Sequence, residues 1–262
     1  MKKILFILVF FSAVLFIRLY SNFVTKTTSP LKTPESSSTA TPTPTPILKQ
    51  TTEVMMAGKN YQVSWIKVSD LNRLSLYSNL AEKKTTEGLK KTYSCQNLIN
   101  AGFYDKSDHH LGLFVSGGKI INSELISSLF NGFFFITTDG IADIANSAPR
   151  KSLHLALQSG PLLWNGGNPQ VLLIKNDELA RRMVVLTTPK KEVYFLAIYD
   201  QDSPLQGPYL EDLPNLLLQF QKNTSVSITS ALNLDGGGAS AFSNQEVTLL
   251  EVTSVGSIFC LK

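Results

Sequence analysis

From about residue 53 onward, short apolar stretches alternate with clusters of Gly, Asn and Asp. Apolar runs of roughly four to eight residues bounded by such turn formers are typical of β-strands. The pattern predicts a single strand-rich α+β domain with a mixed sheet, few helices and no internal repeat. The expected strands cover residues 54–56, 61–68, 97–103, 113–115, 132–137, 153–159, 171–174, 183–187, 193–199, 225–234 and 247–260.

Two segments favour helices instead. Residues 210–221 carry apolar side chains at a spacing that gathers them on one helical face. These side chains are Leu213, Leu216, Leu217 and Phe220. Pro214 falls within the first turn, where its missing amide hydrogen costs little. Residues 71–82 form the second expected helix.

The first 23 residues have the pattern of an export signal. Lys2 and Lys3 precede an apolar run over residues 4–17, and no small-x-small cleavage site follows it. An uncleaved signal-anchor is therefore favoured over a cleaved signal peptide. The two lysines favour a cytoplasmic N-terminus and an extracytoplasmic domain, at the cell surface or secreted.

Residues 24–52 are rich in Thr, Ser, Pro and Lys, with a repeated Thr-Pro pair. Such a segment buries too little apolar surface to offset its chain entropy, and its prolines favour the polyproline II conformation. We expect a disordered linker that holds the domain, residues 53–262, on the order of 80 Å from the bilayer.

The charge distribution argues against nucleic-acid binding. The formal net charge is +4, but residues 1–50 hold six basic residues and one acidic residue, which leaves −1 for the remainder. The expected domain therefore has no basic excess with which to neutralise a phosphate backbone.

The two cysteines, Cys95 and Cys260, are too far apart in sequence for a zinc motif. They can form a disulfide if the domain is extracytoplasmic, or remain as two buried thiols. No cofactor and no metal ligand set is predicted, although a divalent ion is not excluded.

Three polar, glycine-bearing segments follow expected strands. They cover residues 100–105, 158–166 and 233–240. The third contains Gly236, Gly237 and Gly238 directly after Asp235. Three glycines cost about 1 kcal/mol each in chain entropy, which indicates positive φ or a close approach. Their amides could bind an anion, or the segment could be a tight turn capped by Asp235.

Taken together, these segments resemble the phosphodiester glycosidase family in order and spacing over residues 53–262. Residues 100–105 match its Asn-Ala-Gly-Phe segment, 158–163 its Gln-Ser-Gly-Pro segment, and 233–240 its Asn-Leu-Asp-Gly-Gly-Gly segment. Residues 111–119 resemble its following stretch, which reads Gly-Leu and then Val-Ser-Asp-Gly-Lys. Arg182 occupies the place of an arginine that begins a family strand, and Arg181 is the competing candidate.

The resemblance implies hydrolysis of a sugar-1-phosphodiester, with a sugar-phosphate or phosphoglycan substrate on extracytoplasmic or cell-envelope glycans. It implies a catalytic carboxylate pair, Asp235 and Asp105, in base, nucleophile or acid roles. Arg182 would hold the phosphate. The substrate-binding residues would be Asn100, Gly102, Gln158, Ser159, Gly160, Arg182, Asn233, Gly236, Gly237, Gly238 and Ser240.

Other interpretations remain open at this stage. The domain could be a non-catalytic carbohydrate-binding module on a stalk, or a glycosidase of ordinary glycosidic bonds. Asp105 could cap a turn and take no part in catalysis. His109 and His110 are expected to be exposed in a turn rather than to bind metal, and His154 is expected in a buried strand.

Overall fold

The structure, a computed structural model, describes residues 49–262, so the expected anchor and most of the expected linker lie outside the described residues. Within this range the chain forms one strand-rich unit with few helices, as predicted. The strands are β1 Thr51–Met56, β2 Lys59–Val68, β3 Leu74–Ser78, β4 Asn97–Asn100, β5 Phe114–Ser116, β6 Lys119–Asn122, β7 Gly132–Thr137, β8 Ala142–Ala145, β9 Leu153–Ser159, β10 Leu162–Asn165, β11 Asn168–Pro169, β12 Arg182–Thr187, β13 Val193–Tyr199, β14 Ser230–Asn233, β15 Phe242–Ser243, β16 Thr248–Leu249 and β17 Ser257–Leu261.

The strands form three sheets. The largest has the order β1-β2-β13-β12-β14-β10-β11, and the two five-stranded sheets have the orders β16-β15-β4-β17-β3 and β6-β5-β9-β7-β8. Every pairing between these strands is antiparallel, so the expected mixed sheet is wrong. Six of the fourteen strand pairs are consecutive strands joined by short connections, which only antiparallel strands allow, because parallel neighbours need long crossover connections.

The main core lies between the three sheets and includes Val185, Phe195 and Phe259. Because side chains alternate along a strand, Val184 and Leu196 point to the opposite face of the large sheet. There they pack against the helix over Leu213–Thr224. Both faces of β12 and β13 are therefore buried, which explains their continuous apolar sequences.

Two α-helices complete the unit: α1 Thr86–Tyr93 and α2 Leu213–Thr224. A 3₁₀ turn over Leu210–Asp212 leads into α2, and Ser225 ends it in a left-handed conformation, with its amide bonded to Gln221. The four apolar side chains expected to share a face are buried, so the helix over 210–221 is confirmed.

The helix expected over residues 71–82 is wrong. Only Leu71–Arg73 forms a 3₁₀ turn, and the chain then enters β3, which pairs with β17. The buried side chains of β3, Leu74 and Leu76, are two positions apart, which is a strand period. Residues 171–174 form no strand, and residues 247–260 form only the short strand β16 and most of β17.

Cys95 and Cys260 form a disulfide, with their Cα atoms 5.3 Å apart. The bond joins Cys95, two residues after the end of α1, to Cys260 in β17, within a small apolar cluster that contains Leu89 and Leu98. This decides between the two alternatives that the sequence leaves open. In the part of the chain that the structure describes, no helix has the length and apolar character needed to cross a membrane.

Candidate functional site

The first and third polar segments meet where β4 and β14 end. Asn100 is buried at the end of β4, and its side-chain amide donates to the backbone carbonyl of Asp235 at 2.7 Å. Its side-chain oxygen accepts from the amide of Ala241 at 2.9 Å. The amide of Asp235 in turn donates to the carbonyl of Ala101 at 3.0 Å. Asn100 thus fixes the backbone on both sides of the three glycines.

The second polar segment joins them through Asn233. The side-chain amide of Asn233 donates to the carbonyl of Gly160 at 2.9 Å, and the hydroxyl of Ser159 donates to the carbonyl of Asn233 at 2.7 Å. The side-chain oxygen of Asn233 is buried without a hydrogen-bond partner among the described residues. The structure therefore brings all three segments together, and it leaves one unpaired acceptor at their junction.

The carboxyl of Asp235 lies at this junction and is only partly exposed. Burial raises its pKa to about 7, and the amide of Gly236 opposes the shift only in part. Burial raises the pKa of Tyr104, and the charge of nearby Asp235 raises it further. A carboxyl desolvated in this way can exchange a proton near neutral pH.

Two of the three glycines after Asp235 are required by the backbone, Gly236 by close packing and Gly237 by its positive φ. A Cβ at Gly236 would lie 2.7 Å from the carbonyl oxygen of Arg181, and Gly237 has φ +62°. The amide of Gly237 donates to that same carbonyl at 2.8 Å, and the amide of Gly236 faces Asp235. Two of the three amides are thus engaged within the protein. The anion-binding nest expected from all three amides is therefore not formed.

Arg182 lies beside the glycines but is already paired. Its Cδ would be 3.8 Å from a Cβ at Gly236, which places the stem of the side chain next to the site. Its Nη2 is 3.1 Å from Asp177 and also donates to the carbonyl of Glu178, and its Nε donates to the carbonyl of Pro208 at 3.0 Å. The guanidinium is buried, and that burial lowers its pKa.

Arg181, the competing candidate, is more deeply buried and holds backbone instead. Its Nε donates to the hydroxyl of Ser240 at 2.8 Å, and its Nη2 to the carbonyls of Ser240 and Leu250. Burial lowers its pKa to about 10. The Ser240 hydroxyl also donates to the carbonyl of Gly237. The side chains of Arg181 and Ser240 thus hold the backbone of the glycine loop in place through these hydrogen bonds.

The side chain of Gln158 is fully used by the protein. Its oxygen accepts from the amides of Leu113 and Leu125 at 3.0 and 2.9 Å, and its nitrogen donates to the carbonyls of Leu125 and Phe130 at 2.6 and 2.8 Å. These bonds complete its hydrogen-bonding capacity. In this structure Gln158 has no group left for substrate, and it orders the segment over residues 122–131.

Two glycines of the predicted set are needed for packing. A Cβ at Gly102 would lie 2.6 Å from the side chain of Leu157. A Cβ at Gly160 would lie 1.9 Å from the carbonyl oxygen of Leu129. The amide of Gly102 donates to the hydroxyl of Ser257 at 3.1 Å. These close contacts let the first and second segments approach their neighbours.

Asp105 closes a half-exposed turn. Its Oδ1 accepts from the amides of Ser107 and His109 at 2.8 and 3.0 Å, and these bonds, that of His109 first, lower its pKa. Among the described residues, no hydrogen bond joins its carboxylate to that of Asp235. The catalytic carboxylate pair expected from the sequence stays a prediction.

Two of the three histidines, His110 and His154, differ from expectation in their burial. His109 is exposed as predicted, but His110 is buried, stacked on Phe114 with ring centroids 3.8 Å apart. Burial lowers the pKa of His110 to about 4. The turn packs inward at His110 because its backbone pairs with Tyr104. His154 lies in β9 as expected, but its side chain is exposed.

Two residues beside the site were missed by the sequence analysis. Asp177 pairs with Arg182 and also accepts from the amide of Glu211 at 2.9 Å, yet it lies in a stretch without any motif. Tyr104 lies within the Asn-Ala-Gly-Phe-Tyr-Asp stretch, and this position could have indicated from the sequence that it lies beside the site. Among the described residues, no group of His, Cys, Asp and Glu could hold a metal ion.

Comparisons with known proteins identify the family and the fold. A family model described as phosphodiester glycosidase matches residues 93–256. The catalytic domain of zebrafish N-acetylglucosamine-1-phosphodiester alpha-N-acetylglucosaminidase, auto-inhibited by its pro-peptide, is similar with a TM-score of 0.62 and 15% identity over 80% of this chain and 81% of that one. A hypothetical protein from Synechocystis is similar with a TM-score of 0.53 and 13% identity over 80% of this chain and 61% of that one. At these identities the structural likeness shows the fold alone. No curated protein sequence matches the chain significantly.

Proposed function

Because the chain belongs to the phosphodiester glycosidase family, we propose that it hydrolyses sugar-1-phosphodiesters to a free sugar and a phosphomonoester. The observation that carries the proposal is the carboxyl of Asp235, which lies where the three polar segments meet and has a pKa raised to about 7. A carboxyl that titrates near neutral pH suits a proton acceptor or a nucleophile.

The chemistry of the leaving group selects the working form of Asp235. In the reaction the bond between C1 and the phosphodiester oxygen breaks, and its electron pair leaves with the phosphate. Water adds its hydroxyl to C1, and its other proton ends on the phosphomonoester or in solvent. A phosphate leaving group needs little protonation, so the step does not depend on a general acid. Asp235 therefore acts ionised, either as the base that activates water or as the nucleophile at C1.

The phosphate would be held by Arg182. Its stem runs beside Gly236, one residue from Asp235, and its guanidinium is buried in an ion pair with Asp177. A guanidinium forms bidentate bonds with phosphate as it does with carboxylate. Substrate phosphate would replace Asp177 as its partner, and the unpaired oxygen of Asn233 would accept from a sugar hydroxyl.

We further propose an extracytoplasmic location, with the N-terminal apolar segment as anchor and a cell-envelope glycan as substrate. The disulfide between Cys95 and Cys260 supports this, because such bonds persist in oxidising compartments. The apolar run over residues 4–17, preceded by lysines, supports export.

The experiment assays the purified full-length chain on methyl phosphodiesters of N-acetylglucosamine-1-phosphate, glucose-1-phosphate and mannose-1-phosphate. We expect release of the free sugar from at least one of them, and none from the matching methyl glycosides, which lack phosphate. Binding without product would instead favour a carbohydrate-binding module. Equal rates on diesters and glycosides would favour an ordinary glycosidase.

The role of Arg182 is tested in the same assay. Arg182→Lys keeps the charge opposite Asp177 but loses the bidentate geometry. We expect kcat/KM to fall on the order of 10- to 100-fold, corresponding to about 1.4–2.7 kcal/mol of transition-state binding. Arg150→Lys, at an exposed arginine, is the matched control and should keep the wild-type rate. A wild-type rate for Arg182→Lys would contradict the assignment.

A further inference from the structure

Residues 250–255, which we name the flanking loop, lie directly against the three glycines of the candidate site. The backbone amides of Val252 and Thr253 both donate to the carbonyl of Gly238, at 2.8 and 3.0 Å. A Cβ at Gly238 would lie 3.8 Å from the hydroxyl oxygen of Thr253 and 3.8 Å from the Cβ of Val252. The flanking loop therefore contacts the third polar segment only three residues after Asp235.

Side chains from other parts of the chain fix the backbone of the flanking loop. The donors and the residues whose carbonyls accept are Arg181 Nη2 and Leu250 at 2.8 Å, the Tyr104 hydroxyl and Ser254 at 2.6 Å, and the Asn79 side-chain amide and Val255 at 2.9 Å. The carboxylate of Glu251 is also engaged, because it accepts from the amide of Thr86 at 2.8 Å. The loop is thus ordered before a ligand binds, and binding costs little further entropy there.

The exposed side chains of the flanking loop are uncharged. They belong to Leu250, Val252, Thr253 and Ser254. The loop has no basic residue, so it is unsuited to a phosphate, which calls for Arg or Lys. A hydroxyl beside an aliphatic side chain instead suits a sugar ring, which presents hydroxyls together with C–H groups.

The two ends of the glycine run have different neighbours. The Cδ of Arg182 would lie 3.8 Å from a Cβ at Gly236, whereas Val252 and Thr253 lie against Gly238. Arg182 is assigned to the phosphate, and the sugar is the group on the other side of the bond that breaks. The flanking loop borders the end of the glycine run that is away from Arg182, where the sugar is expected.

We propose that Thr253 is a specificity-determining residue whose hydroxyl binds one hydroxyl of the sugar ring, while Val252 contacts the C–H surface of that ring. This inference rests on the proposed function and adds a sugar-binding contact to the same site. The reaction is unchanged, because both residues bind parts of the substrate that do not react.

The test is a double-mutant cycle on the sugar-1-phosphate methyl diester that the full-length chain cleaves fastest. Wild type and Thr253→Val, which removes the hydroxyl at nearly constant volume, are assayed on this diester and on its 3-, 4- and 6-deoxy analogues. In the wild type we expect one analogue to lose about tenfold in kcat/KM relative to its parent. In Thr253→Val the same analogue should stay within about twofold of the parent. A purely structural role for Thr253 would not produce this coupling.

Thr138→Val is the matched control, because Thr138 is exposed in the turn between β7 and β8. It should keep the wild-type loss for every analogue. Equal losses in wild type and Thr253→Val at every position would overturn the inference and leave the proposed function intact. If Thr253→Val instead slowed a 2-hydroxyethyl diester relative to the methyl diester, the flanking loop would contact the aglycone and the inference would fail. No cleavage of any diester by the wild type would overturn both.

Discussion

The side-chain amide of Asn100 donates a 2.7 Å hydrogen bond to the backbone carbonyl of Asp235, across 135 positions of sequence. Asn100 is almost fully buried, and its other side-chain atom binds the amide of Ala241. One asparagine thus closes the loop that contains the three glycines. The position of the Asp235 carboxyl follows from this closure, because both ends of the loop are fixed.

Asp235→Asn is expected to abolish turnover, because the amide can neither accept a proton nor attack C1. The variant should fold, and its melting temperature at pH 8 should equal or exceed that of the wild type, since it no longer has a poorly solvated charge at this position. Asp202→Asn, at an exposed aspartate, is the matched control and should leave both quantities unchanged. Loss of folding in Asp235→Asn would instead mark Asp235 as a structural cap.

The pH dependence of kcat/KM should follow the ionisation of Asp235, whose pKa is raised to about 7. The active form is the carboxylate, so the rate should rise about tenfold per pH unit below 7 and level off above it. A rate that falls through this range would show that Asp235 works as a general acid.

Folding stability should show the same titration with a fixed sign. Between the pKa of an unfolded aspartate, about 3.9, and about 7, the folded state holds a proton that the unfolded state has released. The unfolding free energy contributed by Asp235 therefore falls as pH rises from about 4 to 7. In urea denaturation across this range, the stability of the wild type relative to Asp235→Asn should decline as pH rises. The difference is the measured quantity because His110, whose pKa is lowered to about 4, contributes a trend of opposite sign in both proteins.

Asp105→Asn is expected to keep most of the activity. The carboxylate closes the turn over residues 105–109 by accepting from two amides, and these bonds account for its Oδ1. We expect a loss of about 1 kcal/mol in stability, as for other side-chain caps, and kcat/KM within about threefold of wild type. A loss of activity like that of Asp235→Asn, at unchanged stability, would restore Asp105 to a catalytic role.

Reduction of the disulfide should destabilise the protein without changing the site directly. Cys95 and Cys260 are 165 positions apart, and the chain-entropy relation gives about 5 kcal/mol for a loop of that length. Urea denaturation with and without a phosphine reductant measures the effect. The double variant Cys95→Ser with Cys260→Ser serves as control, because its stability should not respond to reductant.

Local pattern predicted much of the fold. The bounds of β7, β9 and β13 match the expected strands, because most of their side chains are buried and their sequences are mainly apolar. Helix α2 has a strong apolar face. The pattern failed at β3, whose alternation spans only five residues. It also gave no signal for α1, a short helix with one buried leucine.

The sequence by itself predicted that three glycine-bearing segments form the candidate site, through their joint resemblance to the phosphodiester glycosidase family rather than through the glycines alone. Only the tertiary structure decided what each side chain does there. Gln158 and Arg181 look like ligand-binding residues in the sequence, but long-range backbone groups satisfy them. Hydrogen-bond partners and desolvation depend on residues distant along the chain, so no local pattern could give the engaged state of Arg182 or the raised pKa of Asp235.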